Sequence, residues 1–245
     1  MRNIWTIAKR EIHQIFISPT AYITMIVFLL TLGILFYVEI SYAIRTQQFV
    51  PSMATTFQLI AFPLMFLAVP AITMRSISEE RRSGTIEFLL TAPVRDWELI
   101  IGKWLGAFLF FVIALAVTLV YPLILSFLIK PGIDLGPILA GYLGLILLAS
   151  TLVAIGIAVS SLFSNQLAAL FATMGVIVIF WIISYPAQIM EGTGADILRY
   201  LCLPEHLYGT FLAGVLNLKD ILYYISFTVI ALFIGKTAVE IRRWG

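Results

Sequence analysis

Apolar residues run through this chain in long blocks instead of alternating with polar ones. A bilayer core about 30 Å thick needs about 20 apolar helical residues to cross it. Six stretches meet that requirement, at about 21–44, 57–77, 105–129, 138–163, 167–189 and 221–239. Pro63 and Pro70 interrupt the second, which a spanning helix tolerates when its neighbours re-satisfy the backbone. The third continues a helix expected to begin near Asp96, a helix-starting residue before Trp97 and Glu98. Strand-like alternation is missing, which argues against a transmembrane barrel. The pattern predicts an all-α integral membrane protein with six transmembrane helices, residues 1–245 forming one unit.

Composition strengthens this reading. Of 245 residues, 61% are hydrophobic and 11% charged, against about 25% charged in an ordinary soluble domain. Mean hydropathy is +1.04. A chain this short cannot hide so much apolar surface in a water-facing core, so its main solvent is lipid. A soluble enzyme and a nucleic-acid-binding domain are excluded, and a net charge of +2 offers nothing to a polyanion. The lone Cys202 has no disulfide partner, and no Cys/His spacing suggests a metal. Lysine and arginine are placed unevenly: eleven of the 15 (Arg2, Lys9, Arg10, Arg75, Arg81, Arg82, Arg95, Lys103, Lys236, Arg242 and Arg243) share one side of a six-span layout. Only Arg45, Lys130, Arg199 and Lys219 fall on the other. This bias predicts a multi-pass protein with both termini in the cytoplasm. The first apolar run starts late and is too long for a cleaved signal peptide.

Two polar-leaning segments carry further information. In residues 1–17, Ile4, Trp5, Ala8, Ile12, Ile15 and Phe16 fall near one helical face, with Arg2, Lys9, Arg10, His13 and Gln14 elsewhere. Ser18-Pro19 ends this amphipathic helix, which is expected in the headgroup layer. It serves either as a plain anchor or in gating. In residues 78–91, Ser78 is an expected N-cap, with Glu79 and Glu80 favourably placed in the first turn. Gly84 interrupts, Glu87-Phe88-Leu89-Leu90 follow, and Pro93 stops the segment. A solvated loop that merely enforces topology is one reading. The bulky apolar residues among the charges favour the other, a surface that docks a protein.

Other chemistry is thin. Gly235-Lys236-Thr237 imitates the end of a phosphate-binding loop, but Ile230 stands where the first glycine is required, and Lys236 reads as a snorkelling anchor. His13 and His206 fall on opposite faces. Among the acids within spans, Glu39 lies about 27 Å along its helix from Ala21, at the far interface, where solvation is expected. The pairs Gly102/Gly106 and Gly156/Ser160 suit close packing within one bundle.

The segment Glu80-Arg81-Arg82-Ser83-Gly84-Thr85-Ile86-Glu87-Phe88-Leu89-Leu90, with Pro93 and Gly102-Lys103 beyond it, resembles the type-2 family of ATP-binding-cassette transporter permeases. Pro70–Ser76, Val153–Gln166 and Gly214–Tyr224 resemble its gliding-motility-associated permease subfamily. The likeness implies a half-transporter in a prokaryotic cytoplasmic (inner) membrane, without catalytic residue, metal or cofactor of its own. ATP and Mg would be bound by a partner ATPase, docked on a coupling helix at 78–91 through Glu79, Glu80, Arg81, Arg82, Gly84, Thr85, Glu87, Phe88 and Leu90. Residues 1–17 would be an elbow helix, and 190–220 short outer re-entrant helices, or else a plain surface loop. A second permease chain, identical or related, would pair through the first and fifth spans, where Phe28, Leu32, Leu35, Ala168, Ala172 and Gly175 are candidates for the seam and the translocation path. The leading expectation is an exporter permease. The alternatives are a force-transmitting subunit working on an outer-face accessory protein, and an ATP-independent scaffold or channel.

Overall fold

The computed structural model describes residues 2–46, 53–84, 95–128, 134–186, 189–190 and 192–243. Their regular structure is entirely helical. Helix α1 runs Arg2–Ile17 and stops at Ser18. Helix α2, Pro19–Thr46, opens on a proline, whose fixed φ and missing N–H suit a first helical position.

The second pass is not one regular helix. It consists of α3 (Met53–Pro63), a π-helical turn (Leu64–Ala68) and α4 (Val69–Thr73). Pro70 has no N–H and its ring would crowd the carbonyl four residues back in a regular helix. The wider turn, with the Val69 N–H reaching the Leu64 carbonyl, relieves that conflict. The short helix α5 (Ser78–Arg82) follows.

The third pass begins at Asp96, as α6 (Asp96–Val117), but breaks at Thr118–Leu119 before α7 (Val120–Leu128). The span expected at 105–129 thus lies within one membrane-length segment, Asp96–Phe127, that carries a break. Pro122, four residues after Thr118, is the cause. The expected N-cap shifts as well. Arg95 occupies that position, and the Glu98 carboxylate accepts its backbone N–H at 3.1 Å.

Helix α8 (Leu135–Leu162) starts where the Asp134 carboxylate accepts the Gly136 N–H at 3.0 Å. Helix α9 (Gln166–Ile182) starts likewise, with the Asn165 side chain accepting from Leu167 at 2.9 Å. Beyond it lie α10 (Thr193–Leu201), α11 (Leu203–Gly209), a 3-10 turn (Phe211–Ala213) and α12 (Leu218–Arg243).

Among the described residues five segments are long and apolar enough to cross a membrane: Pro19–Arg45, Ala54–Arg82, Asp96–Phe127, Leu135–Leu162 and Leu218–Ile241. The span expected at 167–189 is shorter than that. Helix α9 has 17 residues, about 25 Å of rise, and gives way to a turn before Pro186, which disfavours helix at the preceding residue.

Helix α8 is the axis of the bundle. Its most apolar window is 78% buried, against 17% for α2 at the rim. An apolar surface all round suits such a position. Missing side chains admit its neighbours: a Cβ at Gly156 would run into Thr73, and one at Gly144 would stand 2.6 Å from Leu207. The end of the bundle that carries α1 also carries α5. The opposite end carries α10 and α11.

Candidate functional site

Helix α1 is seated on α6. A Cβ at Gly102 would lie 2.7 Å from the Ile7 side chain, and one at Gly106 would lie 2.6 Å from that of Glu11 and 3.0 Å from the Ala8 carbonyl. Two glycines one turn apart thus form a trough for another helix. Phe16 meets Phe110 edge-on at 5.4 Å. The buried face of α1 centres on Ala8 and Glu11, while Trp5 is 60% exposed. Trp5 and Ala8, expected near one helical face, thus have different surroundings: α6 covers Ala8 and leaves Trp5 exposed.

Glu11 is buried for an electrostatic reason. The Lys103 side chain, 3% exposed, reaches Glu11 Oε2 at 3.0 Å and Glu80 Oε1 at 2.9 Å. Its third donor goes to the Ser76 carbonyl at 2.7 Å, and Ser76 Oγ donates to Glu11 Oε1 at 3.1 Å. All three ammonium hydrogens are placed. An unpaired charge buried here would be costly, so α1, the α4–α5 turn, α5 and α6 are held in one arrangement.

From the other side, the end of α8 grips the same segment. Ser160 Oγ accepts the backbone N–H groups of Ile77 and Ser78, each at 3.1 Å, and lies 3.2 Å from the Met74 carbonyl, to which it donates. Arg81 Nη1 donates to the Ser161 carbonyl at 2.5 Å. Ser78 is therefore not the N-cap. Its hydroxyl donates back to Met74, and a hydroxyl 82 positions away satisfies its N–H.

The expected coupling residues separate into two groups. Glu79 and Arg82 are exposed, whereas Glu80 and Arg81 turn inward. Of the segment expected over 78–91, the described part is helical over Ser78–Arg82 and turns at Gly84, whose φ of 72° is a conformation glycine favours. Thr85, Glu87, Phe88 and Leu90 lie outside the described residues.

The seam candidates also separate. Phe28 and Leu32 are 1% and 2% exposed, inside the chain's own core, and Leu35 is half-buried. Within this single chain Phe28 and Leu32, with Phe36, which tilts against Tyr121 at 4.7 Å, form the inward stripe of α2 rather than a free outer surface. The outward stripe is Ile23, Ile26, Leu30 and Ile34. On α9, Ala168 and Ala172 are half-buried, and Gly175 is exposed with open space beside it. Glu39 is half-buried beside Thr55, with Oε2 buried and unbonded, rather than solvated.

A second polar cluster, undetected in the sequence, lies at the opposite end. His206 Nδ1 is 2.6 Å from Asp220 Oδ1, and its Nε2 is 2.8 Å from the Tyr200 carbonyl. Thr210 Oγ1 donates to Asp220 Oδ2 at 2.7 Å, and Tyr223 stacks on the imidazole at 3.9 Å. The Tyr223 and Tyr224 hydroxyls donate to the carbonyls of Leu201 and Leu203. These bonds fasten α10 and α11 to α12. Burial pushes the Tyr208 hydroxyl up to about 12 and raises the Cys202 thiol.

Neither cluster has the form of a reaction centre. Among the described residues no group of His, Cys, Asp or Glu is placed to hold a metal ion. Gly235-Lys236-Thr237 is helical, and Lys236 pairs with Glu240, so no phosphate-binding loop exists there. What the geometry offers is mechanical, a set of fastened joints at both ends of an apolar bundle. No curated protein matches the chain. Residues 5–241 match the family described as ABC-2 family transporter protein. With its membrane-length apolar helices, the chain belongs to that family and is a membrane permease component of an ABC transporter.

Proposed function

We propose that the chain is the transmembrane half of an ATP-driven exporter, moved by a separate ATPase that docks on residues 79–90. Permeases of this family normally work with such an ATPase, which would bind ATP and Mg. The observation that carries the reading is the Lys103 joint. It ties α5 to α1 and α6 through two buried ion pairs, while Glu79 and Arg82 remain exposed for a partner. A push on α5 would then reach α6 through Glu80 and Lys103, and α8 through Ser160 and Arg81, without the slack of a solvated loop.

In this reading the α1 end faces the cytoplasm, as the basic residues require, and α9 completes six spans despite its length. Two permease chains pair through the exposed stripe of α9 and the Leu30 and Ile34 part of the exposed stripe of α2. Their apolar walls suit an amphipathic or lipid-like cargo. The test is co-purification with the ATPase and measurement of its hydrolysis. Arg82→Ala with Glu87→Ala should abolish the stimulation of hydrolysis by the permease and leave the permease melting curve unchanged. Wild-type stimulation and complex recovery in that variant would refute the docking assignment.

A second reading, in the spirit of the gliding-motility likeness, is force transmission to an outer-face accessory protein. The fastening of α10 and α11 to α12 through His206 and Asp220 favours it, since a rigid outer platform passes on motion. An accessory protein recovered with the wild type and lost from Asp220→Ala would support this reading.

A further inference from the structure

A cleft of about 440 Å³ opens between α1, the first turn of α2 and the α4–α5 turn, beside the Lys103 joint. Its wall is of two kinds. Ala21 and Ile72 belong to the ends of apolar passes, whereas Ser18, Thr20, Arg75 and Glu79 are polar. Such a boundary is the depth at which hydrocarbon gives way to headgroups.

Three charges in this wall, the exposed Arg10 together with Arg75 and Glu79, form no ion pair among the described residues. Arg75 is half-buried and donates only to hydroxyls, Nη1 reaching Thr20 Oγ1 at 2.9 Å and Ser18 Oγ at 3.5 Å. Its Nε is buried without an acceptor. Glu79 stands one helical turn on, its N–H 3.4 Å from the Arg75 carbonyl, yet its carboxylate does not pair with the guanidinium. A half-buried guanidinium that meets only neutral oxygens lacks the counter-charge that normally accompanies it. A simple anion would satisfy Arg75 but be repelled by Glu79 beside it. A simple cation would be repelled by Arg75 and Arg10. A ligand with a phosphate and an ammonium close together meets both demands.

We propose that the cleft holds the headgroup of a phosphatidylethanolamine-type lipid from the leaflet that carries α1. The phosphate lies on Arg75 and the Ser18 and Thr20 hydroxyls, and the ammonium lies on Glu79. The acyl chains run beside Ile23 and Ile26, which are exposed on the next turns of α2. This site requires only that the chain sit in a bilayer. Glu79 is shared with the proposed docking segment, and the two readings are told apart because lipid retention is measured on the permease alone, without an ATPase.

Native mass spectrometry of the purified full chain tests it, with phosphatidylethanolamine, phosphatidylglycerol of the same acyl chains, and inorganic phosphate as probes. The wild type should retain phosphatidylethanolamine with a roughly tenfold preference over phosphatidylglycerol, on the order of one charge-assisted contact. Glu79 is exposed, so Glu79→Gln keeps the fold and should erase the preference. Arg75→Gln, read alongside its melting curve, should lose both lipids to the same background. Equal retention of the two lipids by the wild type overturns the proposal. So does an unaltered preference in Glu79→Gln, or displacement of bound lipid by inorganic phosphate.

Discussion

At the residue scale, the Lys103 joint is governed by what a buried charge requires. Lys103→Met would leave Glu11 and Glu80 facing each other without their cation. Breaking a buried pair in this way costs about 3–5 kcal/mol. The variant should therefore melt well below the wild type in detergent. Adding Glu11→Leu and Glu80→Leu should recover most of the loss, since apolar replacement of a whole buried ionic group is often near neutral. A single variant melting with the wild type would show that the three side chains do not share a buried site. Cys202 makes a second prediction at this scale. Its thiol is buried and its ionisation is pushed upward. A raised thiol pKa contributes stability that is fully present below the ordinary thiol range and fades as pH rises through it. Native chain should react slowly with maleimide at about pH 8, where an ordinary thiol is already partly ionised, and quickly once unfolded. Rapid native labelling would place Cys202 at an open surface.

At the element scale, the helices are defined by their interruptions and by their close approaches. Gly106→Leu should lift α1 from α6, because the first added carbon already overlaps Glu11. Overpacking of this kind costs about 1–3 kcal/mol. A cysteine placed at Ala8, inaccessible in the wild type, should become reactive in that variant, and continued protection would argue against the trough. Helix α8, by contrast, should tolerate no side chain at Gly156. The passes themselves were legible in the sequence, since an apolar run of sufficient length needs no partner to declare itself. The break at Thr118 is not legible there, because Pro122 sits inside an uninterrupted apolar run. The site was less legible than the fold. Glu11 and Lys103 lie 92 positions apart, and nothing local marks them as partners. Ser78 looked like a cap from its neighbours alone, whereas Ser160, on a remote helix, performs that task. Phe28 and Leu32 show a helical stripe, but periodicity cannot say whether a stripe in lipid faces protein or acyl chains.

For the molecule as a whole, six passes with this distribution of basic residues would place α10 and α11 across the membrane from α5. In a Cys202→Ser background, cysteines at Asp134 and Thr193 should react with an impermeant reagent added to intact cells. Cysteines at Ser83 and Ser164 should react only after the membrane is opened. External labelling at Ser83 would invert the arrangement and remove the ATPase from that end. If two permeases pair through α2 and α9, cysteines at Leu167, Phe171, Gly175 and Ile179 should crosslink between chains, since all four are exposed. Cysteines at Ala169, Thr173 and Ile177, which are buried within one chain, should not.

The π-helical turn at Leu64–Ala68 also bears on chain length. Such a turn is a regular helix with one residue too many, and each residue elsewhere in a helix turns everything beyond it by about 100°. Removing one residue from this turn, with Pro70→Ala to relieve the ring, should restore an ordinary helix and leave both flanks in phase. Phe57 would still meet Tyr142, and Thr73 would still meet Gly156. The same deletion two turns earlier or later should rotate one flank out of register and prevent accumulation of the protein. The second span can therefore lose a residue at this one place, and its prolines mark where.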